Sequence, residues 1–380
     1  MYSFVSKFYL KLFLAIFLIS GVVASCETPK DRETNRKNGV NTENIDSNAK
    51  KKAESSKPLT DLQKRALEIF KPLPDQIEGP ADNPVTQPKV ELGKKLFYDP
   101  RISLSGIISC NTCHNMATYG SDNIKTSLGH KFQTGGRNAP TVLNAGLQIA
   151  QFWDGRAKDL EEQAKGPVLN PLEMAMPDPE LVLNRLKTIP GYVDEFKQVF
   201  PDSEKPVNYD NYAKAIASFE RTLTTPSRFD EYMEGNDDAF SAQEKEGLKT
   251  FIDKGCTSCH NGIDVGGGMY QKFGVVKPYK NQEDMGRYKI TNEESDKYVF
   301  KVPSLRNVTR TYPYFHDGGV WDIREAVMTM GETQLGIELK DKEIEDIVAF
   351  LDSLTGVIPE NALKLPVLPP STPDTPKPQL

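Results

Sequence analysis

Histidine, cysteine and tryptophan are scarce in this chain: four, five and two residues among 380. Five thiols are an odd number and too few for a disulfide scaffold of this length, and four imidazoles leave little material for histidine-rich metal centres. Basic residues are not in excess. Lys plus Arg number 47 against 53 acids, and a net charge of −6 offers no basic face, which argues against nucleic acid as a partner. A long apolar run is missing too, since the run 12–19 is shorter than the roughly 20 residues of a spanning helix. With 38% apolar and 26% charged residues the chain reads as globular, and its length suits two domains.

The ends differ from the middle. Lys7 and Lys11 precede the short apolar run, and Gly21 to Ser25 are small or apolar, so residues 1–25 read as a cleaved export signal. The order Val23-Ala24-Ser25-Cys26 resembles a bacterial lipoprotein processing site, which would make Cys26 the lipidated first residue of the mature chain. A plain secretory leader is the alternative. Residues 26–58 are almost all polar and read as a flexible tether. Residues 359–380 hold seven prolines and read as an extended, disordered tail.

Four of the five cysteines fall in two identical patterns, Cys110-Asn111-Thr112-Cys113-His114 and Cys256-Thr257-Ser258-Cys259-His260. C-x-x-C-H is the attachment pattern of c-type haem. Two thiols add to the vinyl groups, the two intervening residues set the span, and the adjacent imidazole reaches the iron. Disulfides or a redox C-x-x-C need no following histidine. A shared zinc site would need the two pairs much closer in the chain.

The surroundings predict helices. Ser241 and Glu244 form a capping-box pattern ahead of Leu248, Phe251 and Ile252, so a helix should run up to Gly255. Val90, Leu96 and Phe97 suggest a shorter helix before the first pentad. Tyr212, Ile216, Phe219 and Leu223 mark another, with Pro226 as a domain boundary. Ile344, Ile347, Val348, Leu351 and Leu354 mark one that stops at Gly356. Strand alternation is nearly absent. The expected fold is all-α, with two cytochrome c-like domains at 59–225 and 226–358, each carrying one covalent haem c.

Scarcity narrows the remaining iron ligands. After His114 and His260 only His130 and His316 are left. His130 lies in a glycine-containing loop that can fold over a haem face, or it is an exposed loop residue. For the second haem His316, Met269, Met285, Met328 and Met330 all remain candidates on pattern alone.

These residues together resemble the bacterial di-haem cytochrome c peroxidases over about residues 84–357. The matching motifs are the first pentad with His130; Gly136-Arg137-Asn138-Ala139-Pro140; Phe152-Trp153-Asp154-Gly155-Arg156; Asn170-Pro171-Leu172-Glu173-Met174; Val302-Pro303-Ser304-Leu305-Arg306-Asn307; and Tyr314-Phe315-His316-Asp317-Gly318 leading to Met330-Gly331. The resemblance implies a peroxidatic first haem with His114 proximal and His130 removable. It implies an electron-receiving second haem held by His260 and Met330, with Trp153 between the haems. It also implies Glu173 as the distal proton carrier with Gln163 beside it, and a calcium ion at Asn138, Thr311 and Pro313. The implied activity is reduction of hydrogen peroxide by a small donor such as cytochrome c or a cupredoxin. The implied setting is the periplasmic side of a bacterial membrane, as a homodimer and, through Cys26, lipid-anchored. A non-catalytic di-haem carrier and a protein-modifying di-haem oxidase are the alternatives, and the latter carry Tyr where Met330 stands here.

Overall fold

The computed structural model describes residues 58–74 and 76–380, so the leader, Cys26 and the tether up to residue 57 lie outside the described residues. The longer helices are α1 (Asp61–Ile69), α2 (Gln87–Tyr98), α3 (Pro179–Lys187), α4 (Pro190–Val199), α5 (Tyr209–Glu220), α6 (Arg228–Met233), α7 (Ala242–Asp253), α8 (Ile323–Met330) and α9 (Asp341–Ser353). Strands β1 (Tyr270–Lys272) and β2 (Val299–Lys301) pair antiparallel with Tyr270 opposite Lys301, and among the described residues they make up the whole sheet. No described helix is long and apolar enough to cross a membrane.

Each domain is a helix crossing. In the first, α2 meets α5 so closely that a Cβ at Gly93 would run into the carbonyl oxygen of Ala215. Phe97 then reaches Phe219 edge-on, 5.3 Å between centroids, and Tyr212, Ile216 and Leu223 are fully buried on the predicted face. In the second, α7 meets α9, and a Cβ at Gly247 would collide with the carbonyl oxygen of Asp346. Only glycine allows backbones to approach to this degree. The capping box of α7 forms as expected: Ser241 N–H donates to Glu244 Oε2 at 2.7 Å, and Glu244 N–H to Ser241 Oγ at 3.3 Å. Leu248, Phe251, Ile344, Ile347, Phe350 and Leu351 fill the core between the two helices, each buried side chain contributing roughly 1.5–3 kcal/mol.

The chain ends depart from expectation. Helix α1, capped by Thr60, buries Ala66 in the second core, where Phe70 stacks edge-on against Phe229, and Gln63 Nε2 donates to Tyr232 O at 3.0 Å. The segment assigned to the first domain from residue 59 therefore begins on the second. The proline-rich tail is not loose: Ala362 belongs to the first core, Tyr98 Oη donates to its carbonyl at 2.6 Å, Arg185 Nη2 donates to Lys377 O at 3.2 Å, and Gln379 N–H donates to Leu104 O at 2.9 Å. The prolines help: they present no N–H to satisfy and lose little backbone freedom on binding, while the residues between them make the bonds.

The segment joining the domains is gripped at Thr225. Its Oγ1 accepts from Asn144 Nδ2 at 2.8 Å and from Asn307 Nδ2 at 2.9 Å, one residue from each side of the linker.

Candidate active site

All four described cysteines are free thiols, so none is consumed by a disulfide. Cys110 and Cys113 occupy a one-turn helix after α2, and Cys256 follows α7 through Gly255, whose φ of +88° turns the chain. Desolvation lowers the pKa of both following histidines, that of His260 to about 4 and that of His114 in the same direction. His114 Nδ1 lies 3.3 Å from Gly120 O, a bond that leaves Nε2 as the free lone pair. Thiols at this spacing with a neutral imidazole beside them are the donor set for a covalent haem.

The second pentad opens on a cavity of about 230 Å³. Cys256, Cys259, His260 and Met330 line it, and the first domain adds Asn138 and Trp153. Of the five candidate second ligands, Met330 and His316 reach this wall, whereas Met328 and Met285 are exposed and, like Met269, stand away from it. Met330 sits at the end of α8, where the helix widens into a π-turn. His316 is buried and stacked on Phe300 at 4.3 Å, with Phe273 and Trp153 edge-on, and among the described residues its Nε2 has no hydrogen-bond partner.

The first pentad faces a different environment. The loop carrying His130 is closed by Gly129 N–H to Gln133 O at 2.8 Å and by a bridge between Leu128 and Thr134. His130 is buried at its tip, its Nδ1 has no hydrogen-bond partner among the described residues, and Lys131 and Phe132 behind it both have positive φ, which strains a non-glycine backbone. His130 N–H donates to Glu173 O at 2.8 Å, so the two loops are zipped together. The Glu173 carboxyl is within electrostatic reach of Cys110 and Cys113. Burial raises its pKa, against the opposing effects of Arg156 and of a 2.7 Å hydrogen bond from Asn170 Nδ2.

The Glu173 carboxyl takes its hydrogen bond from within its own loop. Among the described residues no hydrogen bond joins Gln163 to Glu173. The amide that reaches the carboxyl is that of Asn170, three residues away in the same loop. Trp153 lies at the domain junction, its Nε1 donating to Asn138 O at 2.9 Å and its carbonyl accepting from Lys301 N–H at 2.8 Å. Asn138, Thr311 and Pro313 share one cavity wall, and Asn138 Nδ2 is taken up by Ile124 O at 3.0 Å, which leaves its Oδ1 as an oxygen donor. No carboxylate-rich metal cluster occurs among the described residues.

Two groups escaped sequence reasoning. Arg137 bridges Asp154 at 2.6 Å and Asp284 at 2.5 Å, clamping the first domain to a loop of the second and holding the Asp284 carboxyl far below its usual range. Lys301, Gln148, Asp264 and Ser304 form a buried polar chain beside the cavity. Neither has a local signature, because the partners are distant in the chain.

A family model described as di-haem cytochrome c peroxidase matches residues 87–238, and one described as cytochrome c matches residues 244–355, so each pentad lies within one match. The cytochrome c551 peroxidase of Pseudomonas aeruginosa is 51% identical over 322 residues, covering 83% of this chain and 92% of that protein. That of Nitrosomonas europaea is 52% identical over 301 residues, covering 79% and 89%. Among solved structures, a MauG-like protein associated with microbial copper homeostasis matches with a TM-score of 0.69 at 26% identity, covering 77% of this chain and 98% of that one.

Proposed function

The chain belongs to the di-haem cytochrome c peroxidase family, and from that premise we propose that it reduces hydrogen peroxide to water at the first site with electrons that a small redox protein delivers at the second. Two electrons from the donor and two protons from solvent convert one peroxide to two waters. Bound haem supplies the iron that receives the peroxide and the store that holds the electrons. The residues of this chain control access, protons and the path between the sites.

The observation that carries this reading is the bond between His130 N–H and Glu173 O at 2.8 Å. His130 would be the removable ligand of a haem held at the first site and, while in place, would exclude peroxide from it. The bond joins the two backbones, so a movement of the His130 loop is transmitted to the loop that carries Glu173, while the Glu173 carboxyl stays oriented by Asn170 Nδ2 at 2.7 Å. Glu173, with its pKa raised by burial, takes a proton from the nearer peroxide oxygen and returns it to the leaving one. At the second site His260 and Met330 are the proposed iron ligands, and Trp153 spans the junction. Met330 is favoured because His316 is held by its stack on Phe300.

Calcium is proposed at the Asn138, Thr311 and Pro313 wall, through oxygen ligands. The mature protein is proposed to be a homodimer on the periplasmic side of the membrane, held by a lipid on Cys26. A Cys26→Ser protein that stays in the membrane fraction would remove the anchor from this account.

The test uses the intact two-haem protein, half-reduced with calcium present, mixed with peroxide and reduced cytochrome c. Donor oxidation at many times background is expected. His130→Gly should be active without prior reduction. If donor oxidation stays at background in both proteins while the haem spectra are intact, the chain is an electron carrier and the peroxidase assignment of these sites is wrong.

A further inference from the structure

The buried chain beside the second cavity contains an ammonium with too few partners. Lys301 is 6% exposed and Asp264 1%, and burial of such charges is tolerated only when they are compensated. They do not touch. Lys301 Nζ donates to Gln148 Oε1, Gln148 Nε2 donates to Asp264 Oδ2 at 3.2 Å, and Ser304 Oγ donates to Asp264 Oδ1 at 2.8 Å. Lys301, Gln148 and Ser304 line the cavity, whereas Asp264 lies behind them.

An ammonium has three donors. Gln148 takes one, and among the described residues no protein acceptor takes the other two. A cation with two free donors on the wall of a cavity calls for an anion inside it. Haem c brings such an anion, since each porphyrin carries two propionate carboxylates. We propose that Lys301 is the counter-charge of a carboxylate of the haem in the second cavity, and that its protonation sets the reduction potential of that haem. The proposal rests on the reading that this cavity holds a haem.

Lys301 is placed to titrate. Burial lowers its pKa to about 8, opposed by the charge of Asp264, whose own pKa burial raises to about 7. The other charged group facing the pair is Arg306, which is committed to Asp230 through bonds of 3.0 and 2.9 Å. Tyr270 stands opposite Lys301 on β1. The sign follows from electrostatics. An electron arriving from the donor protein adds negative charge, which protonated Lys301 stabilises, so the potential falls as pH rises through the pKa of the lysine. Electron uptake is then accompanied by partial uptake of a proton from solvent onto Nζ. Gln148 belongs to the first domain, so this charge also lies on the contact between the two domains.

The experiment is a spectroelectrochemical titration of the second haem in the holoprotein from about pH 6 to 10, for wild type, Lys301→Met, Lys301→Arg and Asp264→Asn. The wild-type potential should decline around pH 8. Lys301→Met should shift the reduction equilibrium toward the oxidised form by at least about tenfold, roughly 59 mV for one electron, and lose the decline around pH 8. Lys301→Arg should keep a high potential that is flat above about pH 8, where Asp264 is already ionised, because guanidinium does not titrate in this range. Asp264→Asn should move the decline to lower pH. A wild-type slope in Lys301→Met or in Lys301→Arg overturns the proposal. If Lys301→Met loses its haem, the Lys301→Arg profile alone decides. Spectra showing a single haem in the wild type would instead sink the underlying reading of the cavity.

Discussion

The two haem domains are built on one plan and differ in what covers the distal side. Both cross two helices at a glycine, Gly93 on Ala215 and Gly247 on Asp346, and both present a histidine with a lowered pKa after two free thiols. In the first domain a strained loop carries the buried His130 and is tied to the Glu173 loop through the His130 N–H. In the second, His316 is packed among Phe300, Phe273 and Trp153, and Met330 sits at the end of a helix. A loop held by few bonds can open, and a side chain boxed by aromatic rings cannot do so without losing its packing. This contrast is what the proposed division of labour rests on, with substrate chemistry at the first site and electron transfer at the second.

The largest expected effect breaks this asymmetry at its chemical end. Glu173→Gln should lower kcat by about 10²–10⁴-fold, the usual contribution of a positioned acid–base group, while the spectra and potentials of both haems stay as they were. Steady-state donor oxidation with parallel redox titration reads both. In the wild type the raised pKa of Glu173 should appear as a rise of kcat/KM with pH, centred above the ordinary glutamate range, because only the ionised form accepts the proton.

The shared plan is tested next. Gly93→Val and Gly247→Val each press a side chain into a backbone carbonyl and should cost about 3 kcal/mol, the upper end for overpacking. Denaturant titrations followed at each haem's absorption should show the loss in the domain that carries the substitution. Equal loss in both domains would mean that they unfold as one unit.

A smaller effect concerns the chain ends. Removing residues 364–380 deletes the bonds from Arg185 to Lys377 and from Gln379 to Leu104, at about 0.5–1.5 kcal/mol each, and should lower the stability of the first domain while leaving the second unchanged.

The smallest is a pH slope. Glu220 is buried in the first domain, and desolvation pushes its pKa up to about 8, whereas an unfolded glutamate ionises near 4.3. The folded state therefore binds the extra proton. The stabilisation is complete below about pH 4 and is lost as pH rises toward 8. Glu220→Gln should flatten the decline of thermal stability across that interval, and an unchanged slope would place the titrating group elsewhere.

Much of this molecule was legible in its residues because the responsible interactions are local. The capping box at Ser241 and Glu244, the buried faces of α5 and α9, and the two pentads depend on neighbours within a few positions. Proline content misled at residues 359–380, because composition reports the unbound preference of a segment and not the acceptors waiting on another surface. The bond from Asn170 to Glu173 had no signal of its own, since the family pattern pointed only to Gln163 and side-chain hydrogen bonding depends on how the loop folds.

By itself the sequence determined the number and chemistry of the covalent cofactors, since thioether spacing and the adjacent imidazole are matters of covalent reach. Tertiary structure decided the rest. Which chain end covers which domain, which amide meets Glu173, and that Lys301 and Asp264 share a buried chain through Gln148 all depend on burial and on partners brought from distant parts of the chain. Desolvation is a property of the assembled surroundings, and no single stretch of residues carries it.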